Sequence, residues 1–120
     1  GSRGGARRRP GLALVRQQKL EDALRELERS VAFEPGNARY AYVYAVALDS
    51  AGRQAEAVGV LRKAHDQDPG DAEVLAALVS YCRDAGAIAE ALKYADELVA
   101  LRPGDEGVVK MREELKGIKK

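Results

Sequence analysis

Glu34-Pro35-Gly36-Asn37, Asp68-Pro69-Gly70-Asp71 and Arg102-Pro103-Gly104-Asp105 follow one another at steps of 34 residues. Other positions keep the same step. Ala23, Ala57 and Ala91 are in register, preceded by Asp22, Glu56 and Glu90 and followed by Leu24, Val58 and Leu92. Gly52 and Gly86 repeat as well. Agreement of many positions on one period marks a chain built from repeated supersecondary units, each too small to bury its apolar face alone.

Within a unit the pattern reads helix, turn, helix. After Asn37, a side-chain cap, Ala41, Tyr44, Ala45 and Leu48 fall on one apolar face, the spacing of an amphipathic helix. Gly52 closes that helix, because the left-handed conformation that ends a helix is cheapest for glycine. A second helix places Ala57, Val58, Leu61 and Ala64 inward and stops before Pro69, whose ring disfavours a helical residue in front of it. The next unit repeats the scheme: Asp71 caps a helix with Leu75, Leu78, Val79 and Cys82 inward, Gly86 breaks it, and Ala91, Leu92, Ala95, Leu98 and Val99 follow. The recurring alanines predict that the paired helices approach closely. Asp105 caps a last helix with Val108, Met111, Leu115 and Ile118 on one face, and Lys116, Lys119 and Lys120 suit its C-terminal dipole.

This pattern resembles the tetratricopeptide repeat family, whose 34-residue unit has a small residue at its eighth place, alanine at its twentieth and proline at its thirty-second. The resemblance implies an all-α fold, a right-handed α-solenoid of antiparallel helix pairs. It divides the chain into a flexible basic tail (1–10, a tag remnant or linker), an incomplete first repeat (11–37), complete repeats over 38–71 and 72–105, and a capping helix (106–120). In the incomplete repeat, Gly11-Leu12-Ala13-Leu14 aligns with the family's small eighth place, and Leu20, Ala23, Leu24, Leu27 and Val31 form the second helix. Its first helix is expected to start near Pro10 and to be short, since proline suits a first turn and not a helix interior. Leu20, Leu24 and Leu27 should then lose cover and form an edge through which two copies associate.

A solenoid presents a curved surface built from successive first helices, so the resemblance implies a non-enzymatic scaffold or adaptor that holds a peptide or helix segment in its concave groove. The groove-facing places are Arg39, Tyr42, Val46 and Asp49, then Glu73, Ala76, Ser80 and Arg83, with Leu12 and Val15 from the incomplete repeat and Lys110 from the cap. Tyr44 belongs to the core, while Tyr40 and Tyr81 are expected to pack between neighbouring helices. Relatives that grip the C-terminal carboxylate of chaperones use a set of lysine, asparagine and arginine. The corresponding places here hold Arg8, Leu12, Val43, Glu73 and Ala77, or, one repeat later, Tyr42, Val46, Ala77, Gly107 and Met111. Neither set matches. The groove mixes apolar residues with both charge signs and suits an amphipathic segment better than a highly charged tail.

Composition agrees with one small domain or a short array: 120 residues, 46 % hydrophobic and 32 % charged, too few for two catalytic domains. The single Cys82 excludes an internal disulfide, and one histidine, His65, excludes the usual Cys/His zinc cage. Cys82 on the apolar face reads as a buried structural thiol and His65 as a structural or surface residue. Asp66, Asp68 and Asp71 lack the glycine and the bidentate glutamate of a calcium loop. Neither a Gly-rich phosphate loop nor a hydrolase or zinc-protease motif occurs, so no enzymatic activity and no cofactor are expected. The longest apolar run, Ala41 to Leu48, has eight residues against about 20 for a membrane helix, so a membrane is not an expected partner. The chain reads as soluble, in the cytoplasm or periplasm.

Charge argues in the same direction. There are 20 lysines and arginines against 19 acidic residues, but Arg3, Arg7, Arg8 and Arg9 lie in the first ten positions, leaving 16 cations against 19 anions in residues 11–120. An acidic body offers no phosphate-binding surface, so nucleic acid is not the favoured partner. A nucleic-acid accessory role through the arginine tail is one alternative to the scaffold, and a self-assembly module or homodimer is the other. The leading Gly1-Ser2 is expected to be the remnant of a cleaved tag on a piece of a longer protein.

Overall fold

A computed structural model describes the backbone of residues 3–118 and the side chains of residues 13–118. Among the described residues the fold is all-α, as the periodicity implies. Six helices follow one another: α1 (Arg3–Phe33), α2 (Ala38–Ser50), α3 (Gln54–Gln67), α4 (Ala72–Asp84), α5 (Ile88–Leu101) and α6 (Glu106–Lys116). Each packs against the next, and α2 also touches α4, so α2–α3 and α4–α5 form two stacked hairpins between α1 and α6.

The Pro-Gly stretches work as combined turn and cap. Asn37, Asp71 and Asp105 donate their backbone N–H to the carbonyls of Glu34, Asp68 and Arg102 at 3.0, 3.2 and 3.1 Å. Their side-chain oxygens accept from the N–H of Tyr40, Val74 and Val108 at 3.0, 2.9 and 3.2 Å, satisfying one orphan donor at the start of α2, α4 and α6.

Within each hairpin the turn is glycine's. Gly52 and Gly86 have φ of 78° and 81°, and no other described residue has positive φ. The N–H groups of Arg53 and Ala87 reach back to the carbonyls of Leu48 and Cys82 at 2.8 and 2.9 Å, and those of Gly52 and Gly86 to Asp49 and Arg83 at 3.0 Å. This is the double bond pattern of a Schellman end. An added Cβ at either glycine would meet nothing within 4 Å, so backbone conformation alone requires glycine there.

The N-terminal part departs from the expectation of a basic tail followed by a short helix and a turn. One continuous helix runs from Arg3 to Phe33, and Pro10 lies inside it. Proline removes one i→i−4 bond but does not end α1. The physical reason lies one period before Gly52, where Gln18 stands between Gln17 and Lys19. These are good helix formers that resist the left-handed turn, so the chain continues straight and no first hairpin forms.

The core is shared along the stack. Ala57, Ala91, Ala45 and Ala95 are fully buried, as are Leu48, Leu61, Leu75, Leu78 and Val79. Ala23, in register with Ala57 and Ala91, is exposed because α1 has no hairpin partner of its own. The leucines expected to lose cover at an association edge are packed instead. Leu24 is only 4 % exposed, and Leu20 and Leu27 are half-buried against the core, because α2 covers this side of α1 from its other flank. Tyr44 is in the core, and Tyr40 is 36 % exposed.

Ala57→Trp and Ala91→Trp are expected to cost about 1–3 kcal/mol or more, the usual penalty of overpacking, whereas Ala23→Trp should change stability by less than about 0.5 kcal/mol. Denaturant titrations check the contrast; equal effects at the three positions would contradict the packing described. Gly52→Ala and Gly86→Ala are expected to lose about 1–2 kcal/mol through the left-handed backbone alone, read from the same titrations.

Candidate functional site

Burying Ala41, Tyr44, Ala45 and Leu48 turns the opposite stripe of α2 outward, because residues three and four apart share a helix face. Arg39 and Val46 are exposed, and Tyr42 and Asp49 half-buried. On α4 the equivalent stripe has Glu73, Ala76 and Arg83 exposed and Ser80 half-buried.

Specific contacts join the two stripes. Arg39 Nη1 donates to Glu73 Oε1 at 2.7 Å, from one helix to the residue one period on. The Arg39 guanidinium also lies 5.4 Å from the centre of the Tyr42 ring, within reach of a cation–π attraction. The hydrogen bond to Glu73 and the charge of that carboxylate raise the Arg39 pKa, so this cation and its partner anion neutralise each other. Tyr81 lies near Tyr42 and Asp49, and burial, reinforced by the Asp49 carboxylate, raises its phenol pKa. Asp49 accepts from the Gln54 side chain at 3.2 Å, and Arg83 donates to Ser80 Oγ at 3.3 Å. Tyr81 therefore belongs beside the stripe as well as packing on the core.

Toward α6 the surface deepens. A notch of about 290 Å³ opens over Ala72 and Ala76, walled by Leu98 and Val108 and flanked by Glu73, Arg102 and Asp105. Small side chains on α4 create it, a consequence that period alone did not reveal. Lys110 is exposed on α6 and makes no ion pair among the described residues. Val15 is 51 % exposed on α1, not on a separate first helix beside α2. The side chains of Leu12 and of Arg7, Arg8 and Arg9, and the whole of Lys119 and Lys120, lie outside the described residues.

The family model of the tetratricopeptide repeat matches residues 10–72, just over half of the chain. The chain belongs to the tetratricopeptide repeat family. No curated protein sequence matches it. Among solved structures, it is similar to the second TPR domain of human RPAP3 in complex with an HSP70 peptide, at 21 % identity and TM-score 0.71 over 90 % of each chain. The TPR domain of Arabidopsis OM64 matches at 17 % identity and TM-score 0.69, again over 90 % of each. The Yersinia enterocolitica type III secretion chaperone SycD in complex with a YopD peptide matches at 16 % identity and TM-score 0.71, over 85 % of this chain and 83 % of the other. At such identities the likeness concerns the fold. No helix among the described residues of this tetratricopeptide array is long and apolar enough to cross a membrane.

The two residues singled out for chemistry in the array have structural surroundings. His65 Nε2 lies 2.7 Å from Glu97 Oε1, bridging α3 and α5, and its ring meets Tyr94 edge-on at 5.7 Å. Sequence reading missed this acidic partner, because the two positions are 32 residues apart and meet only when the hairpins stack. Cys82 is 2 % exposed, and burial, with Glu90 nearby, raises its thiol pKa. Since the thiolate is the reactive form, Cys82 is expected to resist a thiol reagent at pH 8 in the folded protein and to react fully in denaturant. Rapid labelling of the native chain would contradict its burial.

Proposed function

We propose that this tetratricopeptide array is a non-enzymatic scaffold whose outward α2–α4 face, extended by the first turn of α6, binds a peptide or helical segment of a protein partner. The observation that carries it is the continuous stripe of unburied residues across two stacked helices, with an apolar centre at Val46 and Ala76 between polar ends. A chain of helix hairpins forms no deep pocket from distant segments; what it offers is an extended surface. Support also comes from the similar folds: the RPAP3 domain is in complex with an HSP70 peptide, and SycD with a YopD peptide.

The chemistry of this surface favours an amphipathic segment. Arg39 and Glu73 already satisfy each other, which leaves no cluster of free cations for a polyacidic tail. Val46 at 38 % and Val43 at 37 % exposure supply apolar area along α2, and the Ala72–Ala76 notch can take an apolar side chain. Aromatic and arginine residues dominate most interface energetics, which points to Tyr42 and Arg83 as anchors.

The test begins with affinity capture by the full chain and mass spectrometry, followed by calorimetric titration of the partner segment. Tyr42→Ala and Arg83→Ala are each expected to weaken binding by roughly tenfold or more, about 1.4 kcal/mol, with the melting temperature close to that of the parent. Unchanged affinity in both variants would place the partner on another face.

A further inference from the structure

The units differ at one place where a helix would fit and none lies. Ala57 and Ala91 are fully buried, each on a helix packed by the first helix of its own hairpin, whereas Ala23, one period earlier, is exposed. The neighbouring edge of α2 shows the same loss of cover. On α4, Val74, Ala77 and Tyr81 share one helix face, and Tyr81 sets that face against α2, beside Tyr42 and Asp49; Val74 is 1 % exposed. The matching residues of α2 are Tyr40, Val43 and Ala47, and Tyr40 and Val43 are 36 % and 37 % exposed. Ala23 on α1 and the Tyr40–Val43 edge of α2 therefore border a slot of the kind that α2 itself fills against α3 and α4.

The chain carries the segment that suits this slot. Leu14 stands one period before Leu48, and Gly11 one period before Ala45, both fully buried on α2. Yet Leu14 and Val15 are 65 % and 51 % exposed. Because α1 continues as helix through Gln18, nine residues of helix hold Leu14 about 14 Å along the axis from Ala23, and the segment cannot reach its own slot. Charge selects the same segment. Arg3 to Gln18 contains five arginines and no acid, whereas Lys19 to Phe33 contains four acids against three cations. Two α1 helices laid antiparallel put the basic half of each on the acidic half of the other, and Leu14 of each on Ala23 of the other. This is a two-fold contact in which each copy gives and receives the same groups.

We infer that two copies of the chain exchange the first half of α1, each supplying the helix that completes the other's first unit. Exchange of an identical element is a low-cost route to a dimer, since it reuses contacts that the repeat already makes. Arg7 and Pro10 stand at the places of the buried Ala41 and Tyr44, so the apolar contact centres on Leu14 and the pair is weak. Val15 of the second copy, one period before Asp49, lengthens the α2–α4 stripe and leaves Tyr42 and Arg83 uncovered, so the inference does not depend on the function proposed for that stripe. It also differs from an edge at Leu20, Leu24 and Leu27, which α2 already covers.

Sedimentation velocity of the full chain from about 10 µM to roughly 0.5 mM, a range in which weak pairs become visible, tests it. The parent is expected to dimerise as concentration rises. Leu14→Asp and Ala23→Trp, both at positions exposed in the single chain, should each raise the dimer dissociation constant at least tenfold and leave the melting temperature in dilute solution unchanged. Gln18→Gly, which admits a left-handed turn at low cost, should let the segment fold back onto its own α1 and give a monomer across the range. Isotope-filtered NMR on a mixed-label sample of the parent should show Leu14 methyls of one copy against the Ala23 methyl of the other. A parent monomeric throughout, a dimer indifferent to both Leu14→Asp and Ala23→Trp, a Gln18→Gly chain that dimerises as strongly as the parent, or Leu14–Ala23 contacts confined to one copy would overturn it.

Discussion

The left-handed backbone at Gly52 and Gly86 is what turns each helix back onto its neighbour, and the rest of the array depends on that reversal. Once the chain has turned, Ala57 and Ala91 come to lie where two helices meet with no room for a larger side chain, and the outward stripes of α2 and α4 are brought into line. Gln18 provides the counterexample within the same molecule. Without a residue that accepts positive φ at low cost, α1 runs on for 31 residues, Ala23 remains in solvent, and the first unit contributes one helix to the stack instead of two.

Charge pairing follows the stacking and does not cause it. Arg39–Glu73, Arg62–Glu90 and His65–Glu97 each connect one unit to the next, at 2.7, 2.5 and 2.7 Å. Arg39–Glu73 and Arg62–Glu90 lie at the surface, where an ion pair contributes about 0–1 kcal/mol, whereas each fully buried leucine contributes about 1.5–3 kcal/mol. Apolar burial therefore carries the cohesion of the array. The pairs determine instead which charges remain available at the surface, and on the α2–α4 stripe they leave a mixed, largely neutralised face.

The two flanks differ in how the repeat has varied. On the outward flank, small residues at Ala72 and Ala76 open a shallow notch within an otherwise continuous surface. On the other, Val31 and Val60 border a cleft of about 370 Å³ between α1 and α3, whereas one period later the rings of His65 and Tyr94 meet edge-on at 5.7 Å.

The 34-residue step, the asparagine and aspartate caps, the glycine turns and the buried faces of α2 to α6 were legible in the chain itself, because each is local: a cap bonds three residues ahead, and a helix face recurs every three or four. The continuity of α1 is marked in the sequence only by an absence, Gln18 standing where the period places glycine. What only the tertiary structure decided was which side chains meet across helices: Glu97 on His65, Tyr81 beside Tyr42 and Asp49, α2 covering Leu24, and the cleft between α1 and α3. Those meetings depend on the angle and offset at which separate helices stack, and these are set by the summed volumes of side chains distant in sequence, which no local pattern records.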